Sequence, residues 1–484
     1  MFGEQLESQV FIDGDWAASE SEERLTVVNP YSEHAVARVP AGSRADIDRA
    51  VAAARDAFDS GPWPRMSLDD RVELLTRLSN ALQDHADEFA EMISVEMGCP
   101  ISQSRTIQVQ RARERMDSYV SLAASVPFES VRDWRGARGL VTREAIGVVA
   151  AVIPWNTPQA TLMMKIPPAL LAGCTVILKP SPETPLDSYL LAEIMREVGF
   201  PRGVINVVPA DRDVSEYLVT HPGVDKVSFT GSTAAGRRIA SLCGRDLRPV
   251  TLELGGKSAA LILEDADVEQ AVEALRLGSL RNSGQVCSAK TRVIVHEGRR
   301  DEFLQLMGSM MTEMPVGDPM DPLTEIGPMV TSVHRDRVNG YIELGIREGA
   351  RVVVGGTDKV FDHGWFVQPT LFDEVEPGMR IFREEIFGPV IVTSSFRAEE
   401  QAIELANTSD FGLNGAVFSA DSSRALAVAR QIQTGTVEIN GRSSGMGAPQ
   451  GGVKASGMGR EGGFEGFEAY LLTKSFGLEP EGTA

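Results

Sequence analysis

Stretches with apolar residues every three to four positions alternate along this chain with short β-rich runs, and their order predicts an α/β protein. The first forty residues hold short runs broken by Asp13-Gly14 and Asn29-Pro30, which predicts strands and turns. Over Arg44 to Phe58, Leu68 to Glu96 and Ile101 to Ala124, apolar side chains recur at three- and four-residue spacing with charges between them. That is the pattern of amphipathic helices laid on the outside of a sheet. The polar, arginine-rich piece from Phe128 to Arg143 reads as an extended hairpin.

Five β-rich runs follow, at Val148 to Ile153, Thr175 to Lys179, Val204 to Val208, Lys226 to Phe229 and Val250 to Leu254. Helical stretches at Gln159 to Leu171, Asp187 to Val198, Val214 to Thr220 and Ala234 to Cys243 separate them. Strands alternating with helices imply right-handed βαβ units and a parallel sheet covered on both faces, with ligands bound beyond the carboxyl ends of its strands. A second α/β series spans Ala259 to Ser419, with β runs at Ala259 to Leu263, Thr291 to His296, Arg351 to Val354, Val390 to Thr393 and Ala416 to Phe418. The chain is then glycine-rich from Gly441 to Gly466 and β-like from Ala469 to Phe476. Such a tail either docks on its own chain or adds a strand to a partner.

A length of 484 residues exceeds one core and predicts two or three domains. The net charge of −21 argues against sequence-independent binding to nucleic acid or an anionic membrane, because phosphates attract clustered Lys and Arg. The longest apolar runs, near Ala145 to Trp155, are broken by Gly147 and Pro154 and fall short of the ~20 residues that cross a membrane. Met1 to Ser8 lack the basic-then-apolar order of a signal peptide. The four cysteines, Cys99, Cys174, Cys243 and Cys287, are too few for a disulfide scaffold, and their spacing matches no zinc motif. A reducing, cytoplasmic setting without a metal is the expectation.

Candidate chemistry centres on Asn282-Ser-Gly-Gln-Val-Cys-Ser-Ala289, which sets one thiol among small and polar neighbours. Cys174, inside Leu170-Leu-Ala-Gly-Cys-Thr-Val-Ile-Leu178, has the apolar setting of a structural cysteine instead. Phe229-Thr-Gly-Ser-Thr-Ala-Ala-Gly236 joins a β run to a helix, so its free amides suit a phosphate, or it is a plain tight turn. Its spacing is not the G-x-G-x-x-G of a Rossmann fingerprint. Gly255-Gly-Lys-Ser258 lacks the earlier glycine of an ATPase loop, where Thr251 stands. Glu253 lies between two leucines at the end of a β run, which suits either a desolvated base or a salt-bridged structural carboxylate. Asn156, in Pro154-Trp-Asn-Thr-Pro158, either donates to an oxyanion or shapes the turn.

These motifs, with Leu252-Glu-Leu-Gly-Gly-Lys257, Gly284-Gln-Val-Cys287 and Glu385-Ile-Phe-Gly-Pro389, stand in the order seen in aldehyde dehydrogenases. From about residue 10 to Phe476 the chain resembles that NAD(P)-dependent superfamily. The resemblance implies a Rossmann-like cofactor domain (1–127 and 144–254), an α/β catalytic domain (255–455) and a small β oligomerisation arm (128–143 and 456–484). It implies Cys287 as nucleophile, Glu253 as general base, and Asn156 with the Cys287 amide as oxyanion hole. Trp155, Lys179, Ser181, Gly231, Ser232, Gly255, Glu385 and Phe387 fall at cofactor positions: Lys179 on the adenosine ribose, Gly231 and Ser232 by the pyrophosphate, and Glu385, flanked by Phe387, on the nicotinamide ribose.

The activity so implied is oxidation of an aldehyde to its acid through a cysteine thioester. The alternatives are release of the acyl group to coenzyme A, which Glu253 disfavours, or a non-catalytic protein on the same scaffold. NAD-preferring members commonly carry Glu three residues after the lysine; here that position is Pro182, with Glu183 one further on. NAD is favoured over NADP, although Ser181 and Lys179 can donate to a phosphate. A homodimer or homotetramer is expected. The tunnel positions are Thr157, Met164, Arg281 and Gln450, none aromatic, which predicts medium or bulky apolar aldehydes with Met163 and Met164 adapting to the chain. Arg281 is read as a solvated surface charge; an inward guanidinium pairing with a distal carboxylate is the other reading.

Overall fold

The computed structural model describes residues 6–479; residues 1–5, part of the stretch read for a signal peptide, and residues 480–484 of the predicted arm lie outside the described residues. Three sheets organise the fold. The first runs, in spatial order, Asp15–Ala18, Gln9–Ile12, Ile205–Val207, Thr175–Lys179, Val148–Val152, Lys226–Thr230, Val250–Glu253 and Gly457–Met458. Its five central strands are parallel, as the βαβ alternation predicts, and both edges are antiparallel. All five residues of Val148–Val152 are buried, as expected of a strand covered on both faces.

Sheet order reverses at Val148–Val152: the next two strands in the chain lie on one side and the following two on the other. A crevice opens at such a switch point, beyond the carboxyl ends. These ends and the turns that leave them carry Trp155 and Asn156, Lys179, Gly231 and Ser232, and Glu253.

The second sheet runs Arg351–Val354, Thr370–Asp373, Val390–Phe396, Arg292–His296, Ala259–Ile262, Asn414–Phe418 and Thr436–Ile439, parallel except at its first pair. Thr370–Asp373 and Thr436–Ile439 escape sequence reading because each short run has only two strongly apolar residues, against the three successive valines of Arg351–Val354. The third sheet is the predicted hairpin, Glu129–Trp134 and Ala137–Ala145, with Leu471–Leu478 added antiparallel along its second strand. The tail therefore docks on its own chain.

Several boundaries differ from expectation. Leu68 to Glu96 is two helices, Leu68–Asp84 and Ala86–Met97, parted at His85, whose backbone leaves the helical region. Ile101 to Ala124 contains a π-helical stretch, Ser104–Gln110, before the Arg111–Ala123 helix. The predicted arm segment 456–484 divides: Gly457–Met458 pairs with Leu252 and Glu253 at the edge of the first sheet, and only Leu471–Leu478 joins the hairpin. The glycine run hid that strand, because a glycine and a single methionine are too few to carry a hydrophobic pattern.

Gly457 is required where it stands. Its φ is +130°, and a Cβ there would lie 1.9 Å from the Leu252 carbonyl oxygen. Gly457→Ala is expected to destabilise the fold by about 2–4 kcal/mol, read as a lower denaturation midpoint. An unchanged midpoint would show that this edge pairing contributes nothing.

Candidate active site

The thiol sits on a loop whose shape is set by three successive residues in the left-handed region: Asn282 (φ +49°), Ser283 (+56°) and Gly284 (+74°). For the first two this backbone is costly, so surrounding groups must enforce it. Gln103 Oε1 accepts from the Asn282 amide (2.7 Å), Ser283 Oγ donates to the Gly327 carbonyl (2.8 Å), and Gln285 Nε2 donates to the Asn282 carbonyl (3.1 Å). A Cβ on Gly284 would lie 2.2 Å from the Gly388 carbonyl oxygen, so this loop lies directly on the one that carries Glu385.

Asn156 ties the first sheet to the thiol loop. Its Nδ2 donates to the Gln285 carbonyl (2.9 Å), and its own carbonyl accepts from Gln108 Nε2 and Asn282 Nδ2, both at 3.0 Å. The turn-shaping and oxyanion readings of Asn156 are thus compatible, since an amide nitrogen carries two hydrogens and one remains. Gln103, just before the π-helical stretch, and Gln108, within it, are buried and hold this centre. Sequence reading missed both, because a polar residue on a helix normally marks the solvent face.

Cys287 is half-buried, and burial, with Glu385 and Glu253 nearby, pushes its thiol up to about 12. Arg281 opposes that shift. The surface reading of Arg281 is therefore corrected: the side chain turns inward, Nη2 donates to Ser288 Oγ (3.0 Å), and its charge faces both Cys287 and Glu438. The Glu253 carboxyl is raised well above its ordinary value by burial and then by Glu461, against Lys165 and Arg460. Its Oε1 is buried without a hydrogen-bond partner, which removes the salt-bridged reading. Lys165 instead pairs with Glu461 (2.5 Å), a buried pair that sequence reading missed because its halves lie 296 residues apart.

The remaining predicted positions fall in two groups. Toward the first sheet, burial lowers Lys179 to about 8 while Glu183 and Asp211 oppose, and Ser181 Oγ donates to the Glu183 carboxylate. The Gly231 amide donates to the Glu253 carbonyl (3.0 Å), and Ser232 Oγ caps the Thr233–Arg245 helix. Gly255 leaves room for the Glu385 carboxylate, 2.2 Å from where a Cβ would stand, and the Gly256 amide donates to Glu385 (2.9 Å). Burial raises Glu385 to about 7. Trp155 and Phe387 meet edge to face with centroids 5.5 Å apart.

Of the tunnel positions, Thr157, Met164 and Gln450 are half-buried, with Thr157 Oγ1 3.1 Å from Thr161 Oγ1. Met163, expected to adapt beside Met164, belongs to the fully buried core and cannot line a tunnel. The arrangement joins a thiol, a buried unbonded carboxylate and an amide donor at one crevice, which is equipment for adding a nucleophile to a carbonyl and activating water. Among the described residues no cluster of His, Cys, Asp or Glu is arranged to hold a metal, and no helix is long and apolar enough to cross a membrane.

The aldehyde dehydrogenase family model matches residues 16–476. A geranial dehydrogenase from Castellaniella defragrans is 47% identical over 467 residues, covering 96% of this chain and 98% of that protein. A 3-succinoylsemialdehyde-pyridine dehydrogenase from a Pseudomonas species is 41% identical, with coverage of 96% and 98%. Among solved structures, a Mycobacterium tuberculosis aldehyde dehydrogenase complexed with NAD+ superposes with a TM-score of 0.97 at 40% identity, covering 99% of both chains. A mutant of aldehyde dehydrogenase C from Pseudomonas syringae, complexed with NAD+ and octanal, gives 0.95 at 40% identity, covering 98% of this chain and 97% of that one. With one motif set, one fold and one family model running through nearly all its length, the chain belongs to the aldehyde dehydrogenase family.

Proposed function

We propose that this enzyme oxidises an aldehyde to its carboxylic acid with NAD as hydride acceptor, using Cys287 as nucleophile, Glu253 as base and Asn156 as oxyanion donor. The observation that carries the reading is Glu253 Oε1, a buried carboxylate oxygen left without a partner at the crevice that also holds the thiol loop. We assign the first-sheet unit to the cofactor, the second-sheet unit to catalysis and the hairpin sheet to assembly. The chain's own groups suit the cofactor: Thr230 Oγ1 is buried and unbonded beside Gly231, and the Gly255 position has no room for a side chain beside Glu385. Glu183 holds Ser181 and faces Lys179, placing a carboxylate where a 2′-phosphate would be repelled, which favours NAD over NADP.

The mechanism follows from these groups. A thiol raised to about 12 needs a base, and a carboxylate whose proton affinity is itself raised is a stronger one. Glu253 takes the thiol proton as sulfur bonds to the carbonyl carbon, and the resulting oxyanion is met by the free Asn156 N–H and the Cys287 amide. NAD, when bound, supplies the acceptor for the hydride that the oxyanion expels. Once Glu253 has passed that proton to solvent, it takes a proton from a water that attacks the thioester left on Cys287; the adduct collapses with sulfur leaving, the acid is freed, and the sulfur takes the proton back from Glu253. A base so placed favours water over coenzyme A as the acyl acceptor.

A medium or bulky apolar aldehyde is the substrate reading that the ringless positions Thr157, Met164 and Gln450 support, alongside the relative named for geranial and the solved mutant complexed with octanal. An acid-tailed semialdehyde is the second reading. It gains from the inward turn of Arg281 and from the relative named for a semialdehyde. All four cysteines are free, which supports a reducing, cytoplasmic compartment. The arm exposes Val131, Trp134 (73% exposed), Leu472, Phe476 and Leu478, an apolar surface that supports a homodimer or homotetramer.

Glu253→Gln is expected to give a burst of about one NADH per active site and then to fall about a hundredfold in steady-state turnover, whereas Cys287→Ala gives neither phase. Normal turnover in the Gln variant would remove Glu253 from the mechanism. Ending the chain after Tyr470 is expected to yield a smaller species by light scattering; a folded truncation of wild-type size would count against assembly through the arm. In an aldehyde panel, Arg281→Ala should leave kcat/KM for apolar aldehydes within about threefold of wild type. A selective loss of roughly tenfold or more on semialdehydes, the worth of a charge-assisted hydrogen bond, would establish the second reading. Activity confined to acetaldehyde-sized substrates would exclude both.

A further inference from the structure

The Glu385–Gly388 segment belongs to no helix or strand, so its carbonyls have no regular ladder to satisfy them. Three in succession are nonetheless bonded, all by one helix. Arg337 donates through Nη2 to the Glu385 carbonyl (2.6 Å) and through Nη1 to the Ile386 carbonyl, and His334 Nε2 lies 2.7 Å from the Phe387 carbonyl. A carbonyl can only accept, so Nε2 carries the proton. Both side chains come from the Ser332–Glu348 helix, three residues apart and so on one face, and Thr331 caps that helix by accepting from the His334 amide (3.1 Å).

What they hold is strained. Phe387 has φ +65°, a backbone that an aromatic residue adopts only when its surroundings enforce it. Its ring closes a three-membered cluster with His334 and Trp155, with centroids 5.5–5.8 Å apart. One residue on, Gly388 is caught between two elements: a Cβ there would lie 2.7 Å from Val338 of the helix, and its carbonyl oxygen occupies the space beside Gly284 of the thiol loop.

We propose that His334 and Arg337 are positioning residues, a clamp that fixes the carbonyls of Glu385, Ile386 and Phe387 and thereby sets the Glu385 carboxylate for the nicotinamide ribose and the resting place of the thiol loop. The inference rests on the reading of Glu385 as the ribose ligand. Neither residue touches the reacting atoms; each acts through the backbone it holds.

The test uses the full-length enzyme with four variants. His334→Phe keeps a ring and loses the donor, and His334→Gln keeps an N–H; Arg337→Met removes the fork, and Arg337→Lys keeps the charge. NAD affinity is measured by quenching of tryptophan fluorescence, and mobility by amide hydrogen exchange over 384–389 in the cofactor-free enzyme. His334→Phe and Arg337→Met are expected to weaken NAD binding about tenfold, to raise the KM for NAD more than they lower kcat, and to speed exchange in that segment about tenfold. His334→Gln should recover most of the affinity and Arg337→Lys part of it, with thermal midpoints close to wild type for both.

Glu385→Ala separates the two claims. If it weakens NAD binding while His334→Phe and Arg337→Met bind within twofold of wild type, the clamp is overturned and the ribose assignment stands. If Glu385→Ala leaves NAD affinity unchanged, the ribose assignment falls and the exchange measurement decides the clamp: unchanged protection over 384–389 overturns it.

Discussion

The thiol stands where it does because the backbone just before it is forced through successive left-handed residues at Asn282 and Ser283, a conformation costing about 1–2 kcal/mol for each residue with a side chain. Within the loop Gln285, bonded to the Asn282 carbonyl, offsets part of that cost, and a remainder is left. It is met by groups from distant parts of the chain: Gln103 and Gln108 near the amino-terminal helices, Asn156 from the first sheet, the Gly327 carbonyl, and the Gly388 backbone against Gly284. The site is therefore a meeting point of segments, and the stability of each contributes to the geometry of the thiol.

Burial is the second organising constraint. Within one crevice the protein half-buries Cys287, Glu253 and Glu385 and fully buries the Lys165–Glu461 pair, and the thiol and the carboxyls of Glu253 and Glu385 are shifted toward their protonated forms. Taking a charge out of water costs several kcal/mol unless a partner compensates. Glu461 has Lys165, whereas Glu253 Oε1 has none. The difference separates a paired structural carboxylate from the one proposed as base, and it is electrostatic in origin, since both are acidic residues close together on the same side of the fold.

Legibility followed signal length. The five central strands of the first sheet were readable because each is an apolar run bounded by helices, and the candidate positions Cys287, Glu253 and Glu385 stood out because each lies in a motif with fixed spacing. Short or side-chain-poor elements were not: Gly457–Met458 carries no pattern, and Thr436–Ile439 has only two strongly apolar residues. Direction was equally hidden. Sequence places Arg281 and Met163 near the site, but only the packing shows that the guanidinium turns in and that the thioether belongs to the core. Gln103 and Gln108 were invisible because their work is done toward distant segments, the Asn282 amide 179 residues away and the Asn156 carbonyl 48 residues away.

The seating of Gly457–Met458 on Val250–Glu253 also sets an order in time. A ribosome delivers the first sheet's central strands long before this edge, and domains generally fold as they emerge. Until the last part of the chain is made, the strand ending in Glu253 has an open edge and Lys165 lacks Glu461. A nascent or carboxyl-terminally clipped chain can thus hold most of its fold and still lack the environment that shifts Glu253. Completion of synthesis, not collapse of the core, is what completes the surroundings of the proposed base.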